Sequence, residues 1–272
     1  MTRPVLAAES VTELGEEVRG AVLVAGSHGG RIAAYLGAMA GAHALILNDA
    51  GVGFDGAGIA GLAMLEAIGM AAATVSHMSA RIGDGRDSLQ HGVISHLNRI
   101  AAQAGVVVGM TARDAAACLT QAPQPLGRPE PYAEGRWQVA HFGKCQVWAL
   151  DSVGKLEQED DGRILVIGSH GALHGGRRDS ALNRHGPPVA ARAAAFHDAG
   201  VGIDGVGITR LPELERRGVP AVTVAAKSAR IGDGRSMWAT GVISHANAQA
   251  VATGAHAGRP LAEWVREAFG AS

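Results

Sequence analysis

Short apolar runs and longer amphipathic stretches alternate along this chain. In its first half the apolar runs are VLAA, AVLVAG, HALIL and AAATV. Runs as short as these predict buried parallel strands, because a strand covered on both faces is apolar throughout. The stretches RIAAYLGAMAG and GIAGLAMLEAIG, which lie between the runs, predict helices. Alternating strands and helices indicate a doubly wound, Rossmann-like α/β fold with parallel sheets.

A third helix is predicted for the stretch SLQHGVISHLNRIAAQAG, with Gly105 as its C-terminal cap. The apolar residues that share one face of this helix are Leu89, Val93, Leu97 and Ile100. His96 and its later counterpart His245 would then lie near the apolar face. We interpret both as buried, hydrogen-bonded structural histidines.

The chain contains a long internal repeat. The octapeptide SARIGDGR occurs at 79–86 and again at 228–235, and GVISH follows each copy. The strings GSHG and DAGVG also occur twice, upstream of each octapeptide. The second copy of the repeat is longer between His170 and Asp198. We therefore expect two tandem α/β units that are related by a pseudo-twofold axis.

The repeat also predicts the domain organisation. The first repeat covers 1–119 and the second covers 146–272. Between them, 120–145 contains the proline-rich string QAPQPLGRPEPYAEG, which is typical of an extended linker, and a strand. That strand belongs to the string WQVAHFGKCQVWAL, which predicts a hairpin that turns at Gly143 and Lys144.

Polar residues that both copies retain fall at the ends of predicted strands. Ser27 and His28 end the second strand, Asp49 follows the third, and Ser79 and Arg81 follow the fourth. Their counterparts in the second copy are Ser169, His170, Asp198, Ser228 and Arg230. Open α/β sheets bind ligands at the carboxyl ends of their strands. We therefore expect both copies to contribute loops to one functional site.

These residue types suit a hydrolytic reaction. The candidate general bases, each with the aspartate that would orient it, are His28 with Asp49 and His170 with Asp198. The candidate nucleophiles or oxyanion donors are Ser79 and Ser228. The residues expected to bind substrate are Arg81 and Arg230, which would grip a carboxylate, together with Ser27, Ser169, Asp84 and Asp233. Asp84 also has a structural interpretation, in which it pairs with Arg81 or caps the next helix.

The two copies differ beside the retained residues. His77 and Met78 of the first copy become Ala226 and Lys227 in the second. Asn48 becomes His197. A desolvated Lys227 next to Ser228 could activate that serine, whereas an exposed lysine could not. We expect the second copy, with Lys227, Ser228, His170 and His197, to hold more of the reactive chemistry, although His77 leaves the reverse assignment open.

Composition excludes several kinds of partner. The net charge is −1 and there is no basic run, so we expect no binding to nucleic acid. No apolar stretch is long enough to span a membrane, and the opening residues MTRPVLAAES do not resemble a signal peptide. The two cysteines, Cys118 and Cys145, lack metal-ligand spacing and suit a cytoplasmic protein. The sequence leaves homo-oligomer formation open.

A cofactor is not expected either. The spacing of Gly51, Gly53 and Gly56 matches a dinucleotide-binding fingerprint, but Asp49 and Asp55 would repel a pyrophosphate. A glycine-rich turn is therefore the preferred interpretation of this loop.

The leading hypothesis is a cofactor-independent hydrolase that acts on an amide or cyclic amide bond of a small anionic substrate. Ring-opening hydrolases of cyclic amides are similar in that repeated units supply Ser, Lys and Arg, although they have three repeats and different motifs. One alternative is a metal-dependent hydrolase or lyase, in which a divalent metal is held by His28, Asp49, His170 and Asp198. A second alternative is a non-enzymatic small-molecule binding protein.

Overall fold

The computed structural model describes residues 3–173 and 189–270, which form two compact units. The first unit consists of Met1–Val52, Gly56–Ala133 and Gly202–Asp204. The second consists of Gly53–Asp55, Glu134–Val201 and Gly205–Ser272. Each unit thus includes three residues that the sequence repeat would assign to the other.

The first unit is built on a five-stranded sheet with the strand order β1-β2-β3-β4-β5. The strands are β1 Val5–Ala8, β2 Val22–His28, β3 Ala44–Asn48, β4 Ala72–Val75 and β5 Ile94–Leu97. The helices are α1 Arg31–Met39, α2 Gly61–Ala67, α3 Gly85–His91, α4 Arg99–Gln103 and α5 Ala112–Leu119. Strands β1 to β4 run parallel, and β5 is antiparallel to β4. The four strands and first two helices expected from the apolar pattern are confirmed.

The single helix predicted for 88–105 is wrong, because this stretch contains the end of α3, strand β5 and helix α4. Gly92 ends α3 in an extended conformation and packs so closely that a Cβ atom there would lie 2.3 Å from the Ser88 carbonyl oxygen. The following residues pair with β4 instead of continuing the helix. Asn98 then caps α4 by accepting a hydrogen bond from the Ala101 N–H. The sheet is therefore mixed, and His96 lies on a strand.

The second unit is built on a six-stranded sheet with the order β11-β10-β9-β8-β7-β6. The strands are β6 Arg136–Phe142, β7 Cys145–Leu150, β8 Ile164–His170, β9 Ala193–His197, β10 Ala221–Val224 and β11 Ile243–Ala246. The described helices are α6 Arg210–Arg216, α7 Gly234–Thr240, α8 Ala248–Ala252 and α9 Leu261–Phe269. Strands β6 and β7 form the antiparallel hairpin predicted around Gly143 and Lys144. Strands β7 to β10 run parallel, and β11, which carries His245, is antiparallel.

The two sheets share their strand order and a local irregularity. The final antiparallel pair shifts register at Thr74/Val75 in the first unit and at Thr223/Val224 in the second. Residues 174–188, where the second repeat is longer, lie outside the described residues. The pseudo-twofold axis stays a prediction.

Apolar side chains cover both faces of the first sheet. Val22 and Val24 of β2 pack with α5, whereas Leu23 of the same strand packs on the opposite face with residues of α1 and α2. All three are fully buried. Burial on both faces explains why this strand is apolar throughout. In the described ranges, no helix is long and apolar enough to cross a membrane.

Candidate functional site

The carboxyl ends of β2, β3 and β4 meet at one edge of the first sheet, since these strands are parallel neighbours. His28 ends β2 and pairs with Asn48, the last residue of β3. Asp49 comes next and donates its backbone N–H to the Val75 carbonyl at the end of β4, at 2.9 Å. His28, Asp49 and the loop after β4 therefore lie at the same edge, as the strand pattern predicted.

Asp49 and His77 form a carboxylate–imidazole pair at this edge. The Asp49 Oδ1 atom lies 2.8 Å from His77 Nδ1 and accepts the backbone N–H groups of His77 and Gly51 at 2.9 and 3.1 Å. The Asp49 side chain is 4% exposed, whereas that of His77 is 24% exposed. A buried carboxylate thus fixes an imidazole that still reaches solvent.

The hydrogen bonds to Asp49 set its ionisation. Burial alone would raise the pKa of this carboxyl group, but the side-chain and backbone hydrogen bonds from His77, with a side-chain hydrogen bond from Ser95, outweigh it and lower the pKa below its usual value. An ionised Asp49 requires a donor on Nδ1 of His77, so we assign the proton of the neutral ring to that atom. The Nε2 atom is then the acceptor, and the described part of the chain offers it no hydrogen-bond partner.

The equivalent carboxylate of the second unit is that of Asp198. Asp198 Oδ1 accepts the N–H groups of Gly200 and Ala226, each at 2.9 Å, as Asp49 accepts those of Gly51 and His77. The residue in the position of His77 is Ala226, which carries only a methyl group. At this position the first unit places an imidazole beside the carboxylate, and the second unit places a methyl group there. The expectation that the second copy holds more reactive chemistry stays a prediction.

His197 fills a structural position. Its Nδ1 accepts the Ala199 N–H at 3.0 Å, and its Nε2 lies 3.1 Å from the Ala229 carbonyl oxygen. Asn48 makes the same two bonds in the first unit, to Ala50 at 2.9 Å and to Ala80 at 3.1 Å. Burial lowers the pKa of His197, against the opposing effects of the Asp198 charge and the Ala229 carbonyl. This histidine replaces the asparagine bond for bond.

The histidines proposed as bases are buried at strand ends. His28 is 8% exposed, and its Nδ1 accepts the Gly30 N–H at 3.1 Å. His170 is 6% exposed and pairs with His197 at the ends of β8 and β9. The imidazole that Asp49 contacts through Oδ1 belongs to His77. The expected pairing of Asp49 with His28 stays a prediction.

The serines of the repeated octapeptide build turns. Ser79 Oγ donates to the Ser76 carbonyl and accepts the Val93 N–H, both at 2.9 Å. Ser228 makes the equivalent bonds to Ala225 and Val242. The earlier pair of serines, Ser27 and Ser169, accept the backbone N–H groups of Val11 and Val153 at 3.0 and 3.1 Å. The hydroxyl protons of Ser79 and Ser228 are thus directed at carbonyl oxygens and not at a base.

The acidic residues of the octapeptide cap helices. Asp84 accepts the Asp87 N–H at the start of α3, and Asp233 accepts the Ser236 N–H at the start of α7. The capping interpretation of Asp84 therefore describes its observed contact. Lys227 is exposed, so the desolvation that would activate it beside Ser228 is missing.

Both arginines of the octapeptide already contact carboxylates. In the first unit Arg81 bonds Asp87 through Nη1 at 2.9 Å and also pairs with Asp204. In the second unit Arg230 bonds Asp55 through Nε and Nη2 at 2.9 and 2.5 Å. Each arginine side chain is 45% exposed. The arginines can bind carboxylates, but protein groups occupy them in this structure.

Sequence reasoning missed His77 as a partner of Asp49. The available signal was a histidine two residues beyond the end of β4, the strand next to the one that Asp49 follows. The described residues contain no group of three or more His, Cys, Asp or Glu side chains that could hold a metal ion. Comparison with protein-family models, curated proteins and solved structures gives no match.

Proposed function

We propose that this protein is a hydrolase that cleaves an amide or cyclic amide bond of a small anionic substrate, with His77 as its general base. One observation carries the proposal: the His77 ring, which is partly exposed, is bound through Nδ1, at 2.8 Å, to the buried carboxylate of Asp49. A histidine that is oriented in this way and keeps Nε2 available is suited to proton transfer.

In the proposed reaction, Nε2 of His77 removes a proton from a water molecule as the water oxygen attacks the substrate carbonyl carbon. The resulting imidazolium then gives its Nε2 proton to the amide nitrogen, and the C–N bond breaks. The products are a carboxylic acid and an amine, so the water supplies all the added atoms. Asp49 keeps the ring in the required tautomer and stabilises the imidazolium without itself taking a proton.

Water is a better nucleophile than Ser79 in this proposal. The Ser79 hydroxyl donates to the Ser76 carbonyl and accepts from the Val93 N–H. A serine nucleophile needs its hydroxyl to donate to a base. Breaking the Ser79 contacts would also release the turn that connects β4 to α3.

The wider expectations from the sequence belong to the same proposal. The reaction uses no cofactor, the two repeats are related by a pseudo-twofold axis, and the protein acts in the cytoplasm, alone or as a homo-oligomer. Its partner is a small molecule and not a nucleic acid or membrane. The net charge of −1 supports the expectation of no nucleic-acid partner, and the shared strand order of the two sheets supports the relation between the repeats.

The test is a screen of linear and cyclic amides that carry a carboxylate, with His77→Ala and Asp198→Asn as paired variants. We expect His77→Ala to lower kcat by about 100-fold to 10,000-fold, the usual contribution of a general base. Asp198→Asn keeps an oxygen for both backbone N–H groups and should retain kcat. Equal activity of His77→Ala and the wild type, or no hydrolysis of any amide, would refute the proposal.

A further inference from the structure

We propose that Arg81 is the subsite for the carboxylate group of the substrate, and that Asp204 occupies it when substrate is absent. The proposal rests on the hydrolase function proposed above only in naming the ligand as a substrate. The binding step itself is a separate property of the first unit, to which both residues belong.

Arg81 is held in position by two hydrogen bonds to Asp87. The Arg81 backbone N–H donates to Asp87 Oδ2 at 2.7 Å, and Nη1 donates to Oδ1 at 2.9 Å. The Asp87 side chain is 8% exposed and also contacts His91 Nδ1 at 2.9 Å. These contacts fix the guanidinium before any ligand arrives, which reduces the entropy lost on binding.

The contact with Asp204 is of a different kind. It involves the other terminal nitrogen, Nη2, and the Asp204 side chain is 58% exposed. Exposed ion pairs contribute little free energy because water screens them and two flexible side chains must be ordered. A ligand carboxylate can therefore displace the Asp204 side chain at low cost. Asp204 has a φ of 55°, in the left-handed region where Asp and Asn are enriched among non-glycine residues.

The position of Asp204 places this subsite near the proposed base. The residue before it, Ile203, donates its backbone N–H to the His77 carbonyl at 2.9 Å. Arg81 itself follows His77 by four positions in the same loop. A carboxylate that replaces Asp204 on Arg81 would thus lie beside the residue that activates water.

Arg230 of the second unit has no carboxylate at the position that corresponds to Asp87. Ser236 stands where the first unit has Asp87, and it accepts only the Arg230 backbone N–H, at 3.0 Å. The Arg230 guanidinium is oriented chiefly by Asp55, with Asp233 at a longer 3.6 Å. Removing Asp55 would leave the Arg230 guanidinium with only Asp233, at 3.6 Å, and the Phe54 ring, 5.6 Å away, so this more weakly held arginine is a matched control.

The experiment measures succinate binding to the full chain by NMR, from the side-chain N–H signals of Arg81. Asp204→Asn removes the competing charge, and asparagine tolerates the left-handed backbone. We expect the variant to bind succinate about twofold to fivefold more tightly, the range that corresponds to an exposed ion pair of up to about 1 kcal/mol. Asp55→Asn should leave the response of Arg81 unchanged.

Two further measurements complete the test. Arg81→Lys keeps the charge but loses the planar fork, so succinate binding should weaken. Inorganic phosphate at equal ionic strength should bind less tightly than succinate. An unchanged succinate affinity in Asp204→Asn, an unchanged affinity in Arg81→Lys, or tighter phosphate binding would each overturn the proposal. If these binding results hold while His77→Ala keeps full hydrolytic activity, the proposed function fails and the carboxylate subsite stands.

Discussion

Replacing His197 by asparagine should remove part of the pH dependence of folding. Burial holds the pKa of His197 below its ordinary value of 6.5 in the folded protein, so the unfolded chain binds more protons than the folded one in mildly acidic solution. The contribution of the neutral His197 ring to stability is therefore fully present above the pKa of the unfolded chain and is lost as the pH falls below that pKa. Asn48 shows that asparagine satisfies the same backbone groups at the matching position of the first unit.

The magnitude follows from proton linkage. If a histidine stays neutral in the folded state, the free energy of unfolding falls by at most about 1.4 kcal/mol between about pH 7.5 and about pH 5.5, because one proton then binds only to the unfolded chain. His197→Asn should recover up to this amount at the lower pH. At the higher pH it should change stability by less than about 1 kcal/mol, since both hydrogen bonds are kept.

Urea unfolding of the wild type and His197→Asn at several pH values measures this difference directly. Burial also lowers the pKa of His43. Because His43 and the other histidines are present in both proteins, their contributions to the pH dependence cancel in the comparison. A parallel loss of stability on acidification in the two proteins would show that His197 is not a buried neutral group. A large loss at neutral pH would show that asparagine does not reproduce its bonds.

Two further predictions test the interpretation of the octapeptide. Ser79→Ala removes two hydrogen bonds from the turn after β4 and should lower the free energy of unfolding by about 1–3 kcal/mol. The variant should still hydrolyse the amide that the wild type cleaves. A loss of kcat comparable with that of His77→Ala would instead make Ser79 the nucleophile. Gly85→Ala places a methyl group 2.1 Å from the Ala8 carbonyl oxygen and should destabilise the first unit by more than about 2 kcal/mol in thermal or urea unfolding. The control Gly127→Ala, whose methyl group meets no atom within 4 Å, should leave stability unchanged. Equal effects of the two substitutions would contradict the close packing of α3 on β1.

The structure gives a physical reason why the octapeptide is identical in both units. That reason is backbone geometry, and it does not require both copies to share a catalytic role. Ser79 closes a turn, Asp84 caps α3, and Gly85 leaves room for the carbonyl oxygen of Ala8. Each of these roles depends on backbone geometry and recurs in the second unit. Two copies of one fold retain such residues whether or not both copies are active.

The strands were predictable because burial on both faces makes each of them a continuous apolar run, as in β2 and β3. Strand β5 was not, because its isoleucine and leucine also fit a helical spacing and only pairing with β4 decides between them. The edge of the sheet that carries Asp49 followed from strand direction. Its partner did not, since the loop after β4 turns His77 back toward Asp49 through a backbone bond that no spacing rule reveals.

The most direct test of the central claim is the tautomer of the neutral His77 ring, observed by nitrogen-15 NMR in the wild type and in Asp49→Ala. We predict that neutral His77 carries its proton on Nδ1 in the wild type, because Asp49 Oδ1 accepts it at 2.8 Å, and that this preference is lost in Asp49→Ala, which has no side-chain oxygen to accept the proton. The proton on Nε2 in the wild type, or the same tautomer in both proteins, would contradict the assignment of His77 as an oriented general base.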